Sequence, residues 1–161
     1  MAWYFELEIE CGEDELSAGL FVQQFDGVEV VFPDGLKAVL FAITHIDSEG
    51  HQCVSVGSKN IMCGGGNDPN LTKRQYTSEA GRQLYERLRG VSGSFRFALV
   101  GWEVDQAFTY NQLVVENWND DGLPGLVVSK EIWLKFGCPS YFVPFKEGYY
   151  WHEYEGEKID Y

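Results

Sequence analysis

Between Trp3 and Glu10 the chain alternates. Trp3, Phe5, Leu7 and Ile9 fall on one side, and Glu6, Glu8 and Glu10 on the other. A period of two predicts a half-buried β-strand. After the polar stretch GEDELSAG, two short β-prone runs at 20–24 and 28–32, joined through Phe25, Asp26 and Gly27, predict a hairpin. Pro33, Asp34 and Gly35 form a turn signal. Beyond it, 37–46 and 51–56 predict another hairpin, closed by Asp47, Ser48, Glu49 and Gly50. The first third therefore reads as an antiparallel meander.

The period is lost over SKNIMCGGGNDPNLTKRQY, which reads as a loop. Thr77 or Ser78 then caps a helix reaching residue 89, with Ala80, Leu84, Tyr85 and Leu88 on one face and Gly90 as its stop. Strand alternation returns over 95–104, where Phe95, Phe97 and Leu99 oppose Arg96 and Ala98. Residues 110–115 fit either a strand or a short helix. After the turn signal NDDGLPG, GLVVS followed by KEIWLKFG predicts a strand feeding a short helix capped by Ser129, with Ile132, Trp133 and Phe136 inward. A closing hairpin is expected from 141–145 and 149–155. The pattern as a whole predicts an α+β fold: a mainly antiparallel β-sheet, a meander of hairpins, with two or three short helices in a single domain. Its three stretches are an acidic β-meander over 1–57, a Gly-rich loop over 58–76, and the helix, strands and closing hairpin over 77–161.

Composition narrows the function classes. At 161 residues with 45% hydrophobic and 16% aromatic content, one globular domain can offset its folding entropy. No apolar run approaches a membrane span, so a cytoplasmic protein with no membrane contact is expected. Cys11, Cys53, Cys63 and Cys138 are scattered, which fits free thiols. The formal net charge is −13, a field that repels nucleic acid and steers cationic partners inward. That charge is segregated. Residues 1–50 hold eleven acids against Lys37 alone, whereas 51–100 hold three acids against seven bases.

Candidate chemistry is weak at every point. His45, His51, Cys53 and Cys63 are zinc-type ligands but match no zinc signature. A four-residue loop at 47–50 would also set His45 opposite Gln52 and send the two histidines to opposite faces. MCGGGNDPN lacks the Lys-Ser/Thr of a phosphate loop, Cys63 and Cys138 carry no nucleophile signature, and GVSGS is not GxSxG. No catalytic residue, cofactor or metal is therefore assigned, and an enzyme is not the favoured class. The segment 149–155 offers Trp151, Glu153 and Glu155 on one side of a strand, aromatic area among carboxylates.

In being small, acidic and aromatic-rich without a cofactor motif, the chain resembles immunity proteins that neutralise basic toxins. The resemblance is compositional and rests on no aligned motif. It implies a stoichiometric inhibitor of a basic protein partner, binding through Glu6, Glu8, Glu10, Asp14, Glu15, Trp151, Glu153 and Glu155. Two alternatives remain: a small-molecule binder or enzyme holding an anionic ligand between the sheet and the basic helix with Arg82, Arg87 or Arg96, and a structural homodimer.

Overall fold

The computed structural model describes residues 3–64, 69–117 and 122–161. At its centre lies strand β1 (Trp3–Gly12), where the alternation predicts it. β1 is flanked on both sides by antiparallel partners. These arrive late in the sequence: β5 (Gln52–Cys63) on one side and β6 (Phe97–Trp102) on the other. Beyond β5 lies the edge strand β4 (Phe41–Ile46). Beyond β6 follow β7 (Val127–Ser129), β9 (Tyr149–His152) and the far edge β8 (Phe142–Lys146). The sheet order is β4-β5-β1-β6-β7-β9-β8, antiparallel at every pairing, and β2 (Glu29–Val31) with β3 (Lys37–Val39) forms a separate two-stranded sheet. The architecture is α+β, as predicted.

A pleated strand sends successive side chains to opposite faces, so a central position gives β1 two neighbourhoods. Phe5, Leu7, Ile9 and Cys11 join Val54, Val56, Ala98 and Val100 in the larger apolar cluster. Two helices cover it. Helix α1 (Glu15–Phe25) contributes Ala18, Phe21 and Phe25, and α2 (Arg74–Gly90) contributes Ala80, Leu84, Tyr85 and Leu88. On the opposite face Phe97 and Leu99 join Leu113, Leu126, Val128, Phe142 and Ile132 of the short helix α3 (Lys130–Lys135). The half-buried strand of the sequence reading is thus buried on both faces, and Glu6, Glu8 and Glu10 retain only 6%, 7% and 1% of their exposure.

The structure corrects several boundaries. The run 20–24 lies in α1, not in a strand. Asp14 caps the helix, accepting from Ser17 N at 2.9 Å and from Ser17 Oγ at 2.7 Å, and satisfies an otherwise orphaned first-turn donor. The predicted single strand 37–46 breaks at Leu40, whose N–H donates to Val28 O while its carbonyl accepts from Gly27 N. β5 runs on through Cys63, so 58–63 are strand and not loop. Gly65, Gly66, Asn67 and Asp68 of the Gly-rich loop, and Asn119, Asp120 and Asp121 of NDDGLPG, lie outside the described residues. Helix α2 begins before Thr77 and Ser78, which are buried within it; Lys73 precedes it without a side-chain cap. Residues Asn111–Val115 form a π-helical turn, which resolves the strand-or-helix alternative.

The later elements follow the pattern closely. Ser129 caps α3 through Ile132 N at 3.4 Å, and β8 pairs with β9 as the closing hairpin. After β9 the chain lies along α2, where Gly81 makes room for Tyr154: a Cβ at residue 81 would stand 2.5 Å from the phenol oxygen. Among the described residues no helix is long and apolar enough to cross a membrane.

Candidate functional site

The three glutamates of β1 form a row along the face opposite α1 and α2. Their partners change from one end to the other. Glu10 is held by Arg96, whose Nε donates to Oε1 at 2.9 Å and whose Nη2 donates to Oε2; the Gly12 N–H also donates to Oε1. The same guanidinium lies 3.9 Å from the centroid of the Tyr110 ring. This end of the row is an ion pair locked into the sheet. His51 stands beside it, with Nδ1 3.7 to 4.0 Å from carboxylate oxygens of Glu49, Asp47 and Glu10 and without a hydrogen bond among the described residues.

Glu8, at the middle, meets no guanidinium among the described residues. Ser55 Oγ donates to its Oε2 at 2.6 Å, and His45 Nε2 meets its Oε1 at 2.5 Å. Burial pushes the Glu8 carboxyl above its ordinary range, against the lowering effect of these hydrogen bonds. The hydrogen bond to Glu8 in turn raises His45. The contact exists because of register. His45 lies opposite Cys53 and Ile46 opposite Gln52, so the turn spans Asp47 to His51, five residues and not four. A loop one residue longer reverses the predicted facing, and both histidines reach the glutamate face of the sheet.

Glu6 is the anomalous member. Among the described residues it has no ion-pair partner. The Asp105 N–H donates to its Oε1 at 3.3 Å, and the Asp105 carboxylate stands next to it. Burial first, and then the Asp105 charge, push the Glu6 carboxyl up to about 8. Glu6 faces a cavity of about 530 Å³ bounded by Tyr4, Phe41 and Ile43 on its apolar side, by His45 and Asp105 on its polar side, and by Lys59. The cavity opens beside the edge strand β4, where Ile43 and Ile46 are more than half exposed.

The predicted binding residues do not share one surface. Glu6, Glu8 and Glu10 come together, but beneath the surface and not on it. Asp14 is occupied as the α1 cap, and Glu15 is exposed in the first turn. Trp151 lies on the helix-covered face, its ring 5.2 Å from Tyr85 and 5.0 Å from Phe145, with the Arg89 guanidinium over it. Glu153 and Glu155 are exposed, and Glu155 pairs with Lys158. The three candidate anion-binding arginines also have separate partners: Arg82 pairs with Glu79, Arg87 donates to Gln24 O, and Arg96 is consumed by Glu10 on the face away from α2. Ser55 and Asp105 carry no signal in the sequence as site residues, and His45 stands there only as a zinc-type ligand without a signature. Only an exact strand register would have joined His45 and Ser55 to Glu8. No known protein family, curated protein or solved structure matches the chain.

Proposed function

We propose that this chain is a non-catalytic, stoichiometric binding protein that receives a cationic side chain of a basic protein partner at the Glu6–Asp105 cavity, as an inhibitor or immunity-type protein would. The observation that carries this reading is the pair of adjacent carboxyls with no cation on either among the described residues, at the wall of an open cavity. A guanidinium or ammonium placed there would offset the Asp105 charge, lower the Glu6 pKa and let Glu6 ionise as the partner binds. The field of a −13 chain would speed the approach of such a partner, and the exposed Ile43 and Ile46 beside the cavity supply apolar contact area.

An anion-binding pocket has less support, because Arg82, Arg87 and Arg96 each face a different neighbour. The test uses paired baits, the wild-type chain and a Glu6→Gln/Asp105→Asn variant, for capture from the native host at increasing salt. A basic protein retained by the wild type, lost at high salt and lost by the variant supports the reading. Equal recovery by both baits, or recovery of no protein together with thermal stabilisation by a metabolite, overturns it.

A further inference from the structure

Next to that cavity lies a second chemical feature, independent of any protein partner. Strands β1, β4 and β5 each place one side chain of a different donor type on the same face: a carboxylate from Glu8, an imidazole from His45 and a thiol from Cys53. The candidate ligand atoms all lie within 4.8 Å of one another. We propose that Glu8, His45 and Cys53 bind a thiophilic divalent cation of the zinc type.

Several observations carry the assignment. Oxygen, nitrogen and sulfur are the three donors that zinc accepts, at bonds of about 2.0 to 2.3 Å, which separate tetrahedral ligands by roughly 3.5 Å. The three candidate atoms, all within 4.8 Å of one another, stand near that spacing. Cys53 is 3% exposed, has no hydrogen-bond partner among the described residues, and is aimed into this cluster of ligands and not into the helix-covered core. Glu8 is buried at the centre of a seven-stranded sheet with only a part-exposed histidine to balance it. The Ser55 hydroxyl fixes the second Glu8 oxygen, the outer support that metal-ligating carboxylates typically have. Three protein ligands leave a fourth position, and His45 and Ser55 both line the open cavity from which water or a partner's side chain would fill it.

Proton balance fits the exchange. The cation takes the place of the proton shared by His45 Nε2 and Glu8 Oε1, and of the thiol proton of Cys53; both pass to solvent. Protons and the cation compete for the same ligand atoms, so affinity rises with pH.

The experiment titrates the full chain with Co²⁺ after chelator stripping, in a phosphine reductant. The expected result is one equivalent bound, with a thiolate-to-cobalt charge-transfer band and tetrahedral d–d bands. Cys53→Ser abolishes the charge-transfer band, His45→Ala keeps it but weakens Co²⁺ binding at least tenfold, and Cys63→Ser changes neither. Absence of the band in the wild type, its survival in Cys53→Ser, or its loss in Cys63→Ser overturns the assignment. If Cys53→Ser does not fold, the partly exposed His45→Ala decides, and unchanged affinity overturns the site. None of these readouts depends on a protein partner, so the site and the cationic-partner reading fail or stand separately.

Discussion

The two faces of β1 are built by one strand and solved by opposite chemistry. Toward α1 and α2, Phe5, Leu7 and Ile9 meet Val54, Val56, Ala98 and Val100, a close-packed apolar layer in which each side chain contributes by its volume. On the other face three glutamates, two residues apart, receive a guanidinium, an imidazole with a hydroxyl, and a neighbouring carboxylate in turn. The difference teaches that burial alone does not define a core. The helix-covered face loses stability when a side chain is cut back, whereas the glutamate face holds at Glu6 a buried carboxyl that keeps its proton up to about pH 8 and costs stability once it ionises.

Four substitutions probe that contrast. The largest effect is expected on the apolar face, where Leu7→Ala should cost about 3 kcal/mol in urea unfolding, through lost burial and the cavity left behind. Next, Glu10→Ala should cost about 2 kcal/mol, because Arg96 is left unpaired; its partial exposure keeps the loss below that of a fully buried pair. A loss near zero would show that Glu10 is not structural and would blur the distinction between it and Glu6.

The third change should act with the opposite sign. The folded chain keeps the Glu6 proton up to about pH 8, whereas the unfolded chain releases it near 4.5, so folded protein binds more protons between these values and stability falls as pH rises through them. The upward shifts of Glu8 and His45 act in the same direction: the His45 contribution is present below its ordinary pKa and is lost as pH rises through the folded one. Glu6→Gln should leave the melting temperature almost unchanged at pH 4 and raise it by roughly 3 °C at pH 9. A lower melting temperature at pH 9 would mean that the ionised glutamate is compensated, and the contrast between the faces would weaken. Smallest, Asp14→Ala should cost about 1 kcal/mol by uncapping α1, away from both faces.

Much of the architecture was legible in local pattern, and the exceptions have physical causes. The closing hairpin, the Ser129-capped helix and the amphipathic face of α2 are encoded by neighbours in sequence, and they are found where predicted, except that β9 ends at His152 and leaves Glu153 and Glu155 outside the strand. Helix α1 was hidden because Leu16 and Leu20 lie on its solvent side, 85% and 43% exposed, so apolar residues surround it and no stripe stands out. Its cap, Asp14 followed by Ser17, was the local signal that could have identified it. The alternation in β1 was read correctly, but period two reports only that faces differ. It does not reveal whether the polar one meets water, and that depends on whether the strand is central or at an edge. The cluster around Glu8 was least legible, because a single extra residue in the Asp47–His51 turn decides whether His45 faces Cys53 or Gln52.

The central placement of β1 also bears on how the chain is made. During synthesis β1 leaves the ribosome ahead of both β5 and β6, so the strand that both must pair with waits longest with its edges open. An unpaired strand with one apolar face is an aggregation template, and interspersed like charges are the usual protection against it. Glu6, Glu8 and Glu10 intersperse that strand with like charges from the moment it leaves the ribosome.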